Sequence, residues 1–390
     1  MKKKVYCYLC NSEDLKDCFS ISDYPLYLVP LPFQHAKSIK KERIQLHSCN
    51  NCGHMQVSEP DSESQKSIYE LYYNYYVVDS SEALVPYYRI PFIKFLDEIK
   101  TTLLNKSGDL LEIGCSSGEK VELFAGLAKS YTGIDPSERI NTAKKKFLNH
   151  NFVQGYFPDD ISDSKFDTVI SQFNLEHILD INKFVSSVNN CCRDNGIFVM
   201  QVPDANFFLR TKQPNFLAHE HIQYFTKDTL CLLLQKNGFD PIMFADEGPS
   251  LICAAKKVNK TNFEIDKDTL LRLTNDAQKQ ASLYNQDIIL PKEVIFYGVG
   301  PQLFWLISKY KFDMQEVVIV DDNPNYKGQF LPGYTNEIFT LTPDIVNQKK
   351  NIVLSLNNLY NTKVIEKIKN IGVACNVIFN ESGNWKCIKL

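Results

Sequence analysis

The sequence lacks a strong excess of charge of either sign. Its 390 residues carry a formal net charge of −3, and lysine and arginine are scattered along the chain rather than grouped. Proteins that bind nucleic acid usually present a basic face or stripe. The charge pattern therefore argues against nucleic acid, and equally against a membrane surface, as a partner.

Long apolar runs are also missing. A helix that spans a bilayer needs about 20 mostly apolar residues, and no run of even about 18 occurs here. The basic start MKKKVYCYLC is not followed by the apolar segment of a secretion signal. We therefore expect a cytoplasmic protein whose cysteines are reduced thiols or metal ligands. The length and the 44% of hydrophobic residues are sufficient for two or three domains.

Four of the twelve cysteines form two CxxC pairs, CYLC and CNNC. Two such pairs supply four thiolates, which match the tetrahedral preference of zinc and leave no position open for a substrate. The spacing therefore predicts a structural zinc site, although four unrelated thiols remain the alternative interpretation. The predicted ligands are Cys7, Cys10, Cys49 and Cys52. Other residues of ligand type close in the sequence are Cys18, His47 and His54.

A tyrosine-rich segment follows the cysteine pairs. The stretch SIYELYYNYYVVDSSEALVPYYR, residues 67–89, holds seven tyrosines. A phenol combines an apolar ring with a hydroxyl that needs a partner, so a tyrosine cluster suits the wall of a pocket for a polar ligand. Aromatic packing of a connecting helix is the alternative interpretation.

The middle of the chain alternates strands and helices. GDLLEIGCSSGEKVELFAGL predicts a strand, a glycine-bearing turn and a helix, and SYTGIDPSE predicts a second strand that ends at Asp135. This alternation predicts a parallel doubly wound sheet, which binds ligands at the carboxyl ends of its strands. Gly114 lies in the first turn, and Asp135 follows it after about 20 residues, the spacing at which an acid binds ribose in dinucleotide folds. A turn without a ligand is the alternative.

With Glu112 before the glycines and GIDPS after them, the segment resembles the cofactor loop of class I S-adenosylmethionine methyltransferases. The resemblance implies that S-adenosylmethionine is the cofactor. It places the glycine turn beside the methionine part, Asp135 on the ribose, and residues 154–157 beside the adenine. The implied cofactor-binding residues are Glu112, Gly114, Cys115, Gly118, Asp135, Tyr156 and Phe157.

The order of segments along the whole chain resembles a narrower family, the sugar C-methyltransferases that act on nucleotide-linked 4-keto-deoxysugars. The double CxxC region with SDYPLYLVPLP, the tyrosine-rich connector, the cofactor segment, an HEH triplet and a final α/β segment carry this resemblance. The predicted fold class is α/β, with a central class I methyltransferase Rossmann-like domain between a small N-terminal zinc-binding module and a C-terminal Rossmann-like α/β domain. The predicted limits are 1–66 for the zinc module, 67–258 for the methyltransferase domain, 259–290 for a helical linker and 291–390 for the last domain.

The final segment contains a second strand, turn and helix in EVIFYGVGPQLFWLI. Its turn holds Gly298 and Gly300 but lacks a third glycine. In the resembled family the terminal domain serves packing and substrate contact. We therefore do not predict a second cofactor site there.

The triplet HEH in AHEHIQYF, residues 219–221, has three interpretations. Metal ligation is disfavoured because the spacing is not HExxH and no further ligands stand close in the sequence. Packing or substrate orientation is the second. Proton transfer is the third, because a histidine can remove the proton from a carbon beside a ketone. The resembled family assigns the base to the position of His221, and Glu220 would orient this base or bind the sugar. The family has a second active-site histidine at the position of His177.

One position departs from that family, which has a tyrosine where this chain has Ala218. The missing phenol leaves its role to Tyr75, Tyr76 or His177, or indicates a different acceptor. The predicted function is C-methylation of a small molecule, a nucleotide-linked keto-deoxysugar, through a base-generated enolate. An O-methyltransferase on a glycan or small hydroxyl compound and a non-catalytic scaffold are the alternatives. The catalytic candidates are His221, Glu220, His177 and Tyr76.

Overall fold

The computed structural model describes residues 5–58, 62–75, 85–104, 108–161, 164–211, 217–246, 248–258, 266–284 and 288–390. In these ranges the chain forms three β-sheets of four, seven and six strands. No helix within them is both long enough and apolar enough to cross a bilayer.

The first sheet is antiparallel and carries both cysteine pairs at one end. Strand β1 pairs with β2 from Leu15 opposite Cys49 to Pro25 opposite Lys41, so the second cysteine pair starts where the ladder ends. A helix then leads away from the sheet. The elements of this part are β1 (Leu15–Pro25), α1 (Phe33–Ser38), β2 (Lys41–Cys49), β3 (Met55–Val57) and α2 (Ser62–Tyr75).

The second sheet is the doubly wound sheet that the sequence predicts. Its order is β6-β5-β4-β7-β8-β11-β10, in which β11 is antiparallel to both of its neighbours and the other pairs are parallel. Strand β4 is the apolar stretch DLLEI, and it is buried except at its first residue. The elements of this part of the chain, in which β9 belongs to the first sheet, are α3 (Ile90–Ile99), β4 (Asp109–Ile113), α4 (Val121–Ala125), β5 (Ser130–Asp135), α5 (Ile140–Lys146), β6 (Asn151–Gln154), β7 (Phe166–Gln172), α6 (Ile181–Cys191), β8 (Cys192–Pro203), α7 (Ala205–Arg210), β9 (Gln223–Tyr224), α8 (Lys227–Lys236), β10 (Phe239–Ala245) and β11 (Ser250–Lys257).

The third sheet repeats this arrangement on a smaller scale. Its order is β14-β13-β12-β15-β16-β17, and only the edge strand β17 is antiparallel. One long helix, α9, comes before it in the chain. The elements are α9 (Lys267–Tyr284), β12 (Val294–Tyr297), α10 (Pro301–Tyr310), β13 (Val317–Val320), β14 (Ile338–Phe339), α11 (Pro343–Gln348), β15 (Asn351–Leu354), α12 (Asn361–Ile371), β16 (Asn376–Glu381) and β17 (Asn384–Lys389).

The segment that carries the HEH triplet joins the first sheet to the second. Directly after the triplet, β9 completes the first sheet by pairing with β3, Met55 opposite Tyr224. The Tyr24 hydroxyl of β1 donates a hydrogen bond to the carbonyl of Leu217, at 2.8 Å. The first sheet therefore fixes the backbone on both sides of the triplet.

Candidate functional site

The four predicted zinc ligands lie together. Their sulfur atoms are all within 4.8 Å of one another, with Cys7 Sγ to Cys52 Sγ at 3.6 Å and Cys10 Sγ to Cys49 Sγ at 3.5 Å. A tetrahedral zinc site with bonds of about 2.3 Å has sulfur–sulfur edges of about 3.8 Å. No disulfide joins the cysteines in the described residues. The donor set and its spacing therefore fit zinc.

Hydrogen bonds in the turn after Cys49 hold the sulfur atoms of the cluster in place. The backbone N–H of Asn51 donates to Cys49 Sγ at 3.4 Å, and its side-chain amide donates to Cys10 Sγ at 3.5 Å. Gly53 has φ +72°, and a Cβ there would lie 2.7 Å from Leu273 of α9. Only glycine fits both the left-handed backbone and this contact.

The alternative zinc ligands have other partners. His47 pairs with Asp17 at 2.8 Å, and His54 Nε2 donates to Gln223 Oε1 at 2.8 Å. Cys18 makes a weak contact with its own strand, and none of the three belongs to the four-cysteine cluster.

The predicted cofactor turn follows β4. Gly114 and Gly118 have φ +79° and +81°, and the non-glycine Ser116 is also left-handed, at φ 47°. A Cβ on Gly114 would fall 2.6 Å from the side chain of Asn174, which follows β7. Both glycines are therefore required for this tight turn, which brings backbone N–H groups to the carboxyl edge of the sheet.

Asp135 ends β5 beside this turn and is buried. Its carboxylate accepts hydrogen bonds at 2.9 Å from the backbone N–H groups of Ser116 and Ser137. The Gly155 N–H donates to the Asp135 carbonyl, which brings the predicted adenine-side residues next to the same strand end. Of these residues, Tyr156 is 67% exposed and Phe157 packs against Phe184. The structure thus gathers the predicted cofactor residues at one edge, with Asp135 bracing the turn.

Glu112 lies beneath the turn, fully inside the sheet. It accepts a hydrogen bond from the Tyr131 hydroxyl, and burial raises the pKa of Glu112 to about 7. Cys115 is also buried, because Gly133 on the neighbouring strand leaves room for its sulfur. Both side chains therefore support the turn from below.

The two histidines predicted at the active site are in contact. The rings of His177 and His221 have centroids 4.9 Å apart and an interplanar angle of 69°. His177 Nδ1–H donates to the carbonyl of Glu220 at 2.8 Å, and the Ile222 N–H donates to the carbonyl of Glu176 at 2.7 Å. These bonds lock the segment after β7 onto the triplet.

Burial keeps both histidines and Glu176 uncharged near neutral pH. Desolvation lowers the pKa of His177 to about 4 and that of His221 to about 3, the latter also because the two protonated rings would repel each other. It raises the pKa of Glu176 to about 8 and that of Glu220 to about 7. A neutral imidazole is the form that accepts a proton, and a carboxyl group next to it stabilises the resulting cation once it is ionised.

His219, the first histidine of the triplet, takes a packing position. It is buried against the ring of Tyr24, with centroids 5.9 Å apart. Next to it, Ala218 is buried as well, and the Tyr224 hydroxyl lies 3.3 Å from the Ala218 nitrogen. A phenol from β9 therefore reaches the position where the resembled family has its tyrosine, but points at the backbone.

Two site residues escape the sequence prediction. Glu176 is 1% exposed and shares the cluster with His177 and His221. The hydroxyl of Tyr69, from α2, donates to the His177 carbonyl at 3.2 Å, and burial, with a smaller effect of Glu220 and Glu176, raises the pKa of Tyr69 to about 12. Tyr76 lies outside the described residues, and the side chain of Tyr75 is outside them too. The tyrosine-rich segment thus supplies Tyr69 to the site.

Part of the chain is similar to known methyltransferases. Residues 71–243 match the family model described as a methyltransferase domain. The C-methyltransferase NovU of Streptomyces niveus is 24% identical over 248 residues, 60% of this chain and 55% of that protein. A ubiquinone biosynthesis O-methyltransferase of Mesorhizobium japonicum is 32% identical over 94 residues, 23% of this chain and 38% of that protein.

Among solved structures, the 1,6-didemethyltoxoflavin-N1-methyltransferase of Burkholderia thailandensis is similar to 53% of this chain and 96% of that one, at 16% identity and a TM-score of 0.41. The chain spans little more than half the length of NovU and less of the O-methyltransferase. The family match and the strand order confirm the predicted fold class and a methyltransferase domain of the S-adenosylmethionine-dependent type at the centre of the chain.

Proposed function

We propose that this protein is a C-methyltransferase that acts on a nucleotide-linked keto-deoxysugar. The proposal depends on one observation: the cofactor turn and the histidine pair lie at the same edge of the second sheet. Asn174 lies against Gly114, and His177, three residues later, contacts His221. A substrate carbon beside the turn is therefore also beside a base.

The turn fits S-adenosylmethionine. Gly114 and Gly118 leave its backbone open on the carboxyl side of β4, and the buried Asp135 lies where a ribose hydroxyl pair is bound in folds of this type. When bound, the cofactor supplies an electrophilic methyl group. The chain has to position the acceptor in line with that group and exclude water from it.

The acceptor requires a base if it is a carbon next to a ketone. His221 is neutral at neutral pH and takes the proton, and the carboxyl group of the buried Glu176, which lies within 4.8 Å of the His221 ring nitrogen, stabilises the imidazolium once it is ionised. The carbonyl of Glu220 holds His177 Nδ1–H, which fixes the orientation of the second ring. The enolate formed in this way would attack the methyl carbon of the bound cofactor, and the electron pair of the broken carbon–sulfur bond would stay on the sulfur.

We also propose that the four clustered cysteines bind one structural zinc ion. The donor set and the sulfur spacing described above support this assignment. The site lies at the end of the first sheet, whose strand β3 pairs with β9 directly after the HEH triplet. Zinc would therefore stabilise the sheet that holds His221 in place.

A second candidate is O-methylation of a hydroxyl acceptor. Ala218 favours it, because the residue departs from the resembled sugar C-methyltransferases next to the proposed base. The similarity to an O-methyltransferase over 94 residues points the same way. An acceptor hydroxyl needs a base but no ketone.

The test is incubation with isotopically labelled S-adenosylmethionine and a panel of nucleotide 4-ketosugars and their 4-hydroxy counterparts. We expect label on a ring carbon of a ketosugar, located by mass spectrometry and NMR. Label on oxygen would establish the second candidate. Cofactor binding without methyl transfer to any compound of either group would support the scaffold alternative.

A further inference from the structure

Glu176, His177 and His221 form a cluster that resembles a metal site. Each residue offers one ligand atom, and the three atoms lie within 4.8 Å of one another. Zinc bound by nitrogen and oxygen at about 2.0–2.2 Å has donor–donor edges of about 3.3 Å, so small side-chain rotations close the gap. The triplet alone does not predict this site, because Glu176 comes from the segment after β7.

The hydrogen bond that His177 makes through its other ring nitrogen favours a bound metal. His177 Nδ1–H is held by the Glu220 carbonyl at 2.8 Å, which leaves Nε2 on the side of Glu176, 3.9 Å from its Oε1. Histidine ligands of metals commonly donate their other N–H to a backbone carbonyl in this way. The ring is therefore already in the tautomer that binds a cation.

Glu176 provides an independent indication. The side chain is 1% exposed, and its Oε2 atom has no hydrogen-bond partner among the described residues. A buried carboxylate oxygen without a partner is costly, and a cation that binds it removes the cost. His177 and His221 are only part-buried, which leaves a path for an ion from solvent.

We infer that Glu176, His177 and His221 bind one divalent transition-metal ion of the zinc class, separate from the four-cysteine site. Two imidazoles and one carboxylate suit Zn²⁺ or Co²⁺ and leave a position for water. A metal that occupies the His221 nitrogen prevents that nitrogen from accepting a proton. The bound ion therefore inhibits methyl transfer, a consequence that rests on the proposed function, whereas metal binding itself does not.

The test is a Co²⁺ titration of the full chain, purified with one zinc per molecule in the cysteine site. We expect one further equivalent of Co²⁺ to bind and to give visible ligand-field absorption bands. The ultraviolet thiolate-to-cobalt charge-transfer band, which would indicate binding to the cysteines, should be absent. His221→Asn should abolish this equivalent, and Glu176→Gln should weaken it at least ~10-fold. His35→Asn, an exposed histidine in α1, is the matched control and should bind as the native chain does.

The inference is overturned if the native chain shows no saturable thiolate-free absorption, or if His221→Asn binds the second equivalent unchanged. Circular dichroism and calorimetry with S-adenosylmethionine exclude misfolding of the variants. Inhibition is measured separately, as loss of methylation on adding Zn²⁺ and recovery with a weak chelator. Binding without inhibition keeps the metal site and removes His221 from the role of base, so the two proposals fail separately.

Discussion

The second and third sheets build the same turn with different surroundings. Gly114 after β4 and Gly298 after β12 each donate a hydrogen bond of 2.9 Å to the residue before an aspartate, Ile134 and Val320. The aspartates are equivalent as well. Asp135 accepts from Ser116 and Ser137, and Asp321 accepts from Val299 and Asn323, at 2.8 to 2.9 Å. Both sheets therefore contain the same glycine turn, held by the carboxylate of an aspartate.

The difference lies on the neighbouring strand. The side chain that lies against Gly114 is Asn174, which starts the segment with Glu176 and His177. The side chain against Gly298 is Leu356, and Ser355 before it is buried and donates to the Gly298 carbonyl. The two turns thus differ in whether the neighbouring strand places polar, potentially reactive side chains at the same edge of the sheet.

The helices that follow the two turns, α10 and α4, differ in how much of each is buried. Six residues of α10 are buried, and its first residue, Pro301, accepts at its carbonyl a hydrogen bond of 3.4 Å from the Tyr24 hydroxyl. By contrast, α4 is short, and only Val121 and Phe124 are buried on it. The helix after the turn of the third sheet therefore packs against the first sheet, and the absence of a cofactor site at Gly298 and Gly300 stays a prediction.

The largest effect is expected when the triplet is released from the first sheet. Cys49→Ser should remove the zinc, unfold the first sheet and abolish methylation, because metal binding supplies about 10 kcal/mol of folding free energy in small zinc modules. The second sheet would then keep its turn but lose its histidine pair, as in the third sheet. Metal analysis, thermal unfolding and methylation assays measure the three effects.

Cys18→Ser is the matched control, because Cys18 lies on the same sheet outside the cluster. It should keep zinc, stability and activity. Native protein without zinc after purification free of chelators would remove the basis of this prediction.

The next largest effect is expected at His221. His221→Asn should lower methylation roughly 10²-fold or more and leave S-adenosylmethionine affinity unchanged, as for loss of a general base. The native enzyme should exchange the α-hydrogen of its ketosugar with deuterated water, and the variant should not. His35→Asn is again the control. A variant that methylates at nearly the native rate would make the triplet a packing element.

The sequence predicts those parts of the site that rest on local pattern. The CxxC pairs, the Gly114 turn and the strand that ends at Asp135 are each contained in a short segment, and the structure brings each set together as expected. The roles of the site residues and the limits of the domains stay predictions.

The missing parts depend on long-range contacts. Strand β9 has two residues, too few for any periodicity, yet it attaches the triplet to the first sheet. In the sequence Glu176 is an ordinary charged residue, and only the packing of the segment after β7 against the triplet shows that it is buried. Tyr69 could be found as one member of a tyrosine cluster, but nothing local distinguishes it from the others.

Substitution of the two equivalent aspartates, Asp135 and Asp321, is expected to have a smaller effect. Asp135→Ala should weaken S-adenosylmethionine binding by about 1.5–3 kcal/mol, through loss of charge-assisted hydrogen bonds. Asp321→Ala removes the equivalent turn contacts in the third sheet and should leave cofactor affinity unchanged while lowering stability. Calorimetry on both variants separates ligand binding from turn stability. Equal losses of affinity in the two would show that Asp135 acts only through the fold.

The smallest effect concerns the residue two positions before each glycine, Glu112 in β4 and Phe296 in β12. Burial raises the pKa of Glu112 from 4.5 to about 7, so the folded protein binds this proton more tightly than the unfolded chain. Its contribution to stability is complete below the unfolded pKa and is lost as the pH rises through the folded pKa. Between about pH 6 and pH 8 the loss is roughly 1 kcal/mol. Glu112→Gln should remove this part of the pH dependence, whereas Phe296→Leu, which changes the apolar counterpart, should shift stability equally at every pH. Urea unfolding at the two pH values provides the measurement, and an unchanged pH slope in Glu112→Gln would mean that the carboxyl group is already ionised in the folded protein.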